Sequence, residues 1–280
     1  MSTQPQAITE KPAGPLASPG PWDLVATDYD QVTRKFLEAF SRSGLAMLRY
    51  DSTTRAIDIA CGPGTTTLLL APAIRHVTSV DFSTAMLDEL RSNVAAANAT
   101  NVEISSADGQ ALPFADASFD LGISMFGLMF FPDRRRGFAE LHRVLAAGGQ
   151  ALVSSWAPAS QSPLIRTVFA ALQPDDTPPQ APGRPSGLED KAIFEAEMRE
   201  AGFLDVRIEA VTHGVAVESV EQFWHDTVRG TAPIALMKQH AGEEEWSAIE
   251  HRALDRLRDA LPQLPTTLTS AAYLAVGRKP

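Results

Sequence analysis

The segment that most constrains the fold is residues 56–64, with the sequence AIDIACGPG. An alternating apolar run carries one acid, Asp58, and then breaks at two glycines separated by a proline. Thr65–Leu70, which follows, has the composition of a helix opening. A strand, a glycine turn and a helix N-terminus bring free backbone N–H groups together, and glycines let a ligand approach that backbone closely. The pattern predicts a nucleotide-type site at the carboxyl end of a first parallel strand.

A second acid follows at the end of the next predicted strand. His76–Asp81 reads HVTSVD, and Asp81 follows Asp58 by 23 residues. An acid at such a strand end can accept hydrogen bonds from both hydroxyls of a ribose. The third glycine of a dinucleotide motif is missing, because Thr67 occupies its position. This departure argues against a nicotinamide cofactor.

Three further segments continue the alternation of strands with turns and helices. Residues 101–107 predict a third strand, which is followed by the turn Asp108-Gly109-Gln110 within ADGQALPFADASFD. Residues 119–131, FDLGISMFGLMFF, predict a buried strand and a hydrophobic turn, and Leu145–Trp156 predicts a fifth strand. Ser83 is the expected N-cap of the helix after the second strand. Strands that alternate with helices indicate an α/β fold.

Taken in order, these five segments resemble the motifs of the class I S-adenosylmethionine-dependent methyltransferases. Within that family the chain is similar to the small-molecule group that includes the ubiquinone/menaquinone biosynthesis methyltransferases. The resemblance covers residues 22–158. It implies a Rossmann-like, seven-stranded α/β sheet with helices on both faces, a small helical cap, and S-adenosyl-L-methionine as the cofactor.

The resemblance also implies roles for residues at the strand ends. Asp58 is expected to orient the methionine amino group, Asp81 to hold the ribose, and Asp108 to bind the adenine amino group. For Phe82 and Met86, packing in the core is an equal alternative. The full set of expected cofactor-binding residues is Asp58, Ala60, Gly62, Gly64, Asp81, Phe82, Met86, Ala107, Asp108, Gly109, Gln110 and Met125.

The turn after the fourth strand indicates the kind of acceptor. Methyltransferases that act on DNA bases or protein glutamine carry Asn/Asp-Pro-Pro-aromatic there, whereas residues 124–127 are Ser-Met-Phe-Gly. We therefore expect an apolar or aromatic small molecule. The alternative for the aromatic residues nearby is that they only anchor the first helix and the cap to the core. The residues expected at the acceptor or in a lid are Tyr29, Phe126, Phe130, Trp156 and Trp224.

The C-terminal part carries a weaker signal. Residues 173–187 are proline-rich and predict a mobile loop. Helices are expected over 188–201, after a capping box formed by Ser219 and Gln222, and over 243–261. Strands are expected at 203–217 and 271–276, and the helices between these two strands are expected to cap the pocket. His225, next to Asp226, is the candidate general base in this cap, although an incidental exposed pair is the favoured alternative. His142 is expected to be a solvated surface histidine.

Composition sets the outer limits. A chain of 280 residues, 44% of them hydrophobic, can bury a full α/β core, and its net charge of −10 argues against a nucleic-acid partner. The only cysteine, Cys61, excludes an intrachain disulfide and a cysteine-cluster metal site. We expect no metal, no membrane span and a cytoplasmic location. The expected organisation is a disordered tail (1–20), a cofactor-binding core with an N-terminal lid helix (21–158), and the last strands with the cap insertion (159–280).

The sequence therefore predicts methyl transfer from S-adenosylmethionine to a small acceptor, achieved mainly by proximity and alignment. Two alternatives remain at this point. A non-catalytic regulator that binds S-adenosylmethionine would keep the same glycine motifs, and a nicotinamide-dependent oxidoreductase is the less favoured alternative.

Overall fold

A computed structural model describes residues 14–174 and 187–280. Its sheet has seven strands in the order β3-β2-β1-β4-β5-β7-β6. All neighbouring strands are parallel except β7, which pairs antiparallel with both β5 and β6. The predicted seven-stranded α/β sheet is confirmed. The strands are β1 (Arg55–Ile59), β2 (His76–Asp81), β3 (Val102–Ser106), β4 (Phe119–Ser124), β5 (Leu145–Trp156), β6 (Leu204–Val217) and β7 (Thr266–Arg278).

Helices cover both faces of this sheet, as a parallel sheet requires. Alternate residues of β1 enter separate cores: Ile57 packs with Phe138 and Phe194, and Ala56 packs with Leu45 and Leu70 on the opposite face. The helices are α1 (Gly20–Asp28), α2 (Arg34–Leu45), α3 (Thr65–Leu70), α4 (Thr84–Ala96), α5 (Arg134–Val144), α6 (Pro163–Leu172), α7 (Lys191–Glu200), α8 (Val220–Gly230) and α9 (Ala232–Ala260).

Helix starts follow the predicted capping residues. The Ser83 hydroxyl accepts the backbone N–H of Met86 at 3.1 Å, and the Ser219 hydroxyl accepts that of Gln222 at 3.1 Å. The Gln222 side chain does not complete a reciprocal capping box, because its amide donates to Asp226 instead. The predicted helix over residues 243–261 is the second half of α9, which breaks at Gly242 (φ 73°, ψ 178°).

The N-terminal region is more ordered than the sequence indicated. Residues 1–13 of the expected tail lie outside the described residues, but Pro15–Ala17 form a 3₁₀ turn and α1 begins at Gly20. A π-helical turn at Tyr29–Thr33 joins α1 to α2, so the expected N-terminal lid helix consists of two helices that begin at Gly20. Most of the predicted mobile loop at 173–187 also lies outside the described residues.

His142 departs from its predicted solvated position. Its ring is half-buried and packs edge-on against Phe203, with 5.0 Å between the ring centroids. Burial, followed by the charge of Lys279, lowers the pKa of this histidine. The cause is tertiary. His142 lies outside the apolar face of α5, but α7 and the turn before β6 cover it. Across residues 14–174 and 187–280, no helix combines the length and apolar character needed to cross a membrane.

Candidate active site

A cleft of about 1050 Å³, including the space at its open mouth, lies at the carboxyl ends of β1, β2 and β4. The strand order reverses between β1 and β4, and open α/β sheets bind their ligands at such a switch point. Every predicted cofactor residue except Gly64 lines this cleft. At Gly64 (φ +90°) an added Cβ would lie 2.2 Å from Leu90 Cδ1, so this glycine lets α4 pack against the turn.

Asp81, at the end of β2, is held by the glycine turn. Its Oδ2 accepts the backbone N–H of Gly62 and its Oδ1 accepts that of Ser83, both at 2.9 Å. Burial raises the pKa of Asp81, the backbone hydrogen bonds oppose that shift, and the nearby charge of Asp23 adds to it. Each carboxylate oxygen keeps a further lone pair for a ligand hydroxyl. Gly62 (φ +53°) leaves open space above the turn, with only the Met86 sulfur 4.0 Å from an added Cβ.

Asp58, at the end of β1, is 2% exposed. Its Oδ2 accepts the Thr67 hydroxyl at 2.7 Å, and that hydroxyl also contacts the Ser79 hydroxyl at 2.8 Å. Burial raises the pKa of Asp58 to about 7, and the negative charge of Asp81 contributes to the increase. The sequence reasoning missed Thr67: at the position of a dinucleotide glycine, it holds the first acid in place.

The cleft is negative on its polar side. Among the described residues that line it there is no arginine, lysine or histidine, while Asp58, Asp81 and Asp108 all take part. A buried carboxylate without a positive partner is costly. A cationic ligand would provide that partner. Within the described ranges no group of three or more His, Cys, Asp or Glu side chains is arranged to hold a metal ion.

The turn after β3 forms the exposed rim of the cleft. Asp108 Oδ1 accepts the backbone N–H of Gln110 at 2.8 Å and its side-chain amide at 3.0 Å. The Gln110 carbonyl oxygen in turn accepts the Asp133 N–H at 2.9 Å, which ties the rim to the start of α5. Gly109 is buried, and an added Cβ would lie 2.4 Å from the Phe131 ring.

Aromatic side chains also line the cleft. They include Tyr29, Phe126 and Phe130, which the sequence places at an acceptor or in a lid, and Trp22, whose ring lies 5.3 Å from that of Phe130. Burial raises the pKa of Tyr29, and the charge of Asp81 adds to the shift. Trp156 does not line the cleft but stacks on Phe126 from behind, with 4.2 Å between the ring centroids.

The two predicted cap residues lie outside the cleft. Trp224 is 1% exposed, stacks on Trp246 with 6.1 Å between centroids, and donates its indole N–H to Glu250. His225 is exposed beside Asp226, at 3.5 Å. The apolar face of α8 turns toward α9 rather than toward the cleft, so Trp224 and His225 do not reach the position predicted for them.

Several lining residues carried no functional prediction. Leu16 and Ala17 come from the 3₁₀ turn, and the indole N–H of Trp22 donates to the Leu16 carbonyl at 2.9 Å. Ser41 and Thr66, on α2 and α3, share a buried hydroxyl contact of 2.9 Å at the cleft wall. Nothing in the local pattern distinguishes these small polar residues from ordinary helix positions. Only the packing of α2 on α3 brings them together.

Sheet order, glycine turn and strand-end acids together define the class I methyltransferase fold. A family model described as a methyltransferase domain matches residues 56–149. A demethylmenaquinone methyltransferase of Staphylococcus aureus (strain JH9) is 30% identical over 196 residues, which are 63% of this chain and 79% of that protein. The chain belongs to the class I S-adenosylmethionine-dependent methyltransferases.

Two further comparisons concern the length of the match and the fold. A demethylmenaquinone methyltransferase of Listeria monocytogenes serotype 4a (strain HCC23) is 32% identical over 136 residues, 46% of this chain. The match spans only 57% of that relative's length. The crystal structure of a putative methyltransferase from Bacillus halodurans C-125 superposes with a TM-score of 0.57 at 16% identity, covering 86% of this chain and 99% of that one.

Proposed function

We propose that the cleft binds S-adenosylmethionine and that the protein transfers its methyl group to a small apolar or aromatic acceptor. The observation that carries the proposal is the lining of a single cleft. Buried carboxylates and a glycine turn line it together with several aromatic side chains. Family membership supports the same reaction class.

The residues present fit the cofactor. Asp81 has lone pairs left for the two ribose hydroxyls after accepting its two backbone N–H groups. Asp58 lacks a cationic partner among the described lining residues, which suits the methionine ammonium group. In this proposal Asp108 binds the adenine amino group, and Phe82 and Met86 are apolar neighbours of the base. The open space above Gly62 admits the ligand next to the backbone.

The cofactor would supply an electrophilic methyl group on its sulfonium centre, so the chain's own task is alignment and exclusion of water. Trp22 and Tyr29 would cover the cleft, while Phe126 and Phe130 would hold the flat face of the acceptor. No histidine lines the cleft among the described residues, and the exposed His225 is not assigned a catalytic role in this proposal. The S. aureus relative is named for demethylmenaquinone, and an aromatic acceptor of that general kind suits these aromatic side chains.

Ligand-induced stabilisation tests the cofactor assignment directly. S-adenosylmethionine and S-adenosylhomocysteine should raise Tm, whereas NAD and NADP at equal concentration should not. A larger shift with a nicotinamide nucleotide would favour an oxidoreductase. Mass spectrometry of products after incubation with S-adenosylmethionine and a library of apolar and aromatic compounds tests the transfer itself. Tight binding without any methylated product would favour a non-catalytic regulator. The proposal also includes a cytoplasmic location, no nucleic-acid partner and the domain organisation expected from the sequence.

A further inference from the structure

The helical insertion between β6 and β7, comprising α8 and α9, does not line the cleft, yet it packs on the segment that does. Among the described residues, none of the lining side chains comes from this insertion. Trp224 and Trp246 belong to a separate core that the insertion shares with α6, the end of β6 and the start of β7. Its other packed surface meets α1 and the π-helical turn at Tyr29–Thr33, from which Tyr29 enters the cleft.

A tight backbone contact between the two lies at Gly230, the last residue of α8. An added Cβ there would lie 2.4 Å from Thr33 Oγ1 and 2.4 Å from Val32 Cγ2. The Thr33 hydroxyl donates to the Gly230 carbonyl oxygen at 3.0 Å. Gly230 is buried, so its backbone seats directly on the π turn, and any larger residue would push the two apart.

Two neighbouring contacts also join the insertion to α1. On one side the Arg229 guanidinium donates to the Asp28 carboxylate. On the other side Ala232, at the start of α9, packs with Val25, Ala26 and Met86 beneath α1. The half-exposed ion pair adds little by itself, whereas the packed contacts leave the turn little freedom.

The contact at Gly230 bears on the cleft because the π turn carries a cleft residue. π-helical turns often occur at functional sites. Here the turn carries Tyr29, which packs against two clusters whose members Met86 and Phe126 line the cleft. A small displacement of the turn would therefore move Tyr29 relative to both of these residues.

We propose that the α8–α9 insertion is a clamp that fixes Tyr29 in the cleft, with Gly230 as the positioning residue and Arg229 as its support. The inference rests on the proposed function in that Tyr29 is taken to contact bound S-adenosylmethionine. It gives the insertion a role in holding the lid rather than in selecting the substrate. The π turn is also attached to α4, because Asn93 donates to Asp30 at 3.0 Å, and the competing explanation is that this attachment alone positions Tyr29.

Gly230→Ala tests the clamp. Calorimetry should find S-adenosylmethionine binding about tenfold weaker, which is within the ordinary range of coupling between sites. Amide hydrogen exchange over residues 20–33 should be faster in the unliganded variant than in the wild type. In a Tyr29→Ala background, Gly230→Ala should add no further loss of affinity, because the two changes would then act through the same side chain.

Controls separate positioning from general loss of stability. Trp246→Phe disturbs the core of the insertion away from the π turn, and should lower Tm while leaving the affinity for S-adenosylmethionine unchanged. Thr33→Val, which removes the hydroxyl that donates to the Gly230 carbonyl oxygen, carries the test if Gly230→Ala does not fold, with a smaller effect in the same direction.

A folded Gly230→Ala protein with wild-type affinity and exchange would overturn the clamp, as would a full additional loss in the Tyr29→Ala background. If the wild type itself fails to bind S-adenosylmethionine, the proposed function is rejected, and the exchange of residues 20–33 still decides whether the insertion restrains the turn.

Discussion

Replacing Asp58 by asparagine should stabilise the unliganded protein and weaken cofactor binding at the same time. Burial raises the pKa of Asp58 from its ordinary 3.8 to about 7. The unfolded chain therefore loses this proton at a lower pH than the folded protein does. Between about pH 4 and about pH 7 the carboxyl group is protonated in the folded protein but ionised in the unfolded chain, so the free energy of unfolding falls as pH rises. Above the folded pKa the group is ionised in both states, and this loss of stability no longer grows. Asparagine cannot ionise, so the variant avoids the loss.

The magnitude follows from the shift. One pKa unit corresponds to about 1.36 kcal/mol, so a shift of about three units makes ionised Asp58 cost up to about 4 kcal/mol at pH 8. Between pH 5.5 and pH 8 the cost grows by about 2 kcal/mol. For a chain of this size that difference is a Tm change of about 5 °C. The asparagine amide also needs a new partner, but that penalty does not vary with pH.

Calorimetric or spectroscopic melting at pH 5.5 and pH 8 measures the effect. The Tm of Asp58→Asn minus that of the wild type should increase with pH, while isothermal titration at pH 8 should show weaker binding of S-adenosylmethionine. Asp88→Asn, at an exposed acid on α4, is the matched control for loss of one negative charge and should give no such trend. An Asp58→Asn Tm difference that is the same at both pH values would refute the reasoning.

Three further predictions concern single side chains. Asp81→Ala should weaken S-adenosylmethionine binding by about 1–3 kcal/mol, measured by calorimetry on folded protein, because the ribose hydroxyls lose a charged acceptor; unchanged affinity would contradict the assignment. Trp224→Ala should lower the free energy of unfolding by about 3–5 kcal/mol in denaturant titrations, since it empties part of a separate core. Its affinity for S-adenosylmethionine should stay near that of the wild type, and a selective loss of affinity would argue for a pocket role. Gly64→Ala should destabilise by about 1–3 kcal/mol, because the added Cβ overpacks against Leu90 and alanine is strained at the positive φ of this residue; a wild-type Tm would contradict both causes.

The sequence by itself determined the sheet and the acidic side of the cleft. β2 and β5 have the predicted bounds, and the acids at or just beyond the carboxyl ends of β1, β2 and β3 line one cleft. The alternation of apolar residues sets each strand locally, and any parallel pairing of such strands brings their carboxyl ends to the same edge. The caps at Ser83 and Ser219 were predictable for the same reason, because a cap acts within one helical turn.

Partner choice was decided by tertiary structure. Helical spacing makes one face of α8 apolar, but nothing in that spacing tells whether the face packs on the cleft or on α9, and Trp224 took the second partner. Trp156 likewise lies behind Phe126 rather than beside it.

The roles of Thr67 and Gly230 also depended on contacts between distant segments. Thr67 holds Asp58 because α3 packs over β1, and Gly230 is small because the π turn lies against it. Local sequence sets which faces are apolar and which ends are polar. Which apolar faces pack together depends on how all of them fit at once, and this is decided only in the folded chain.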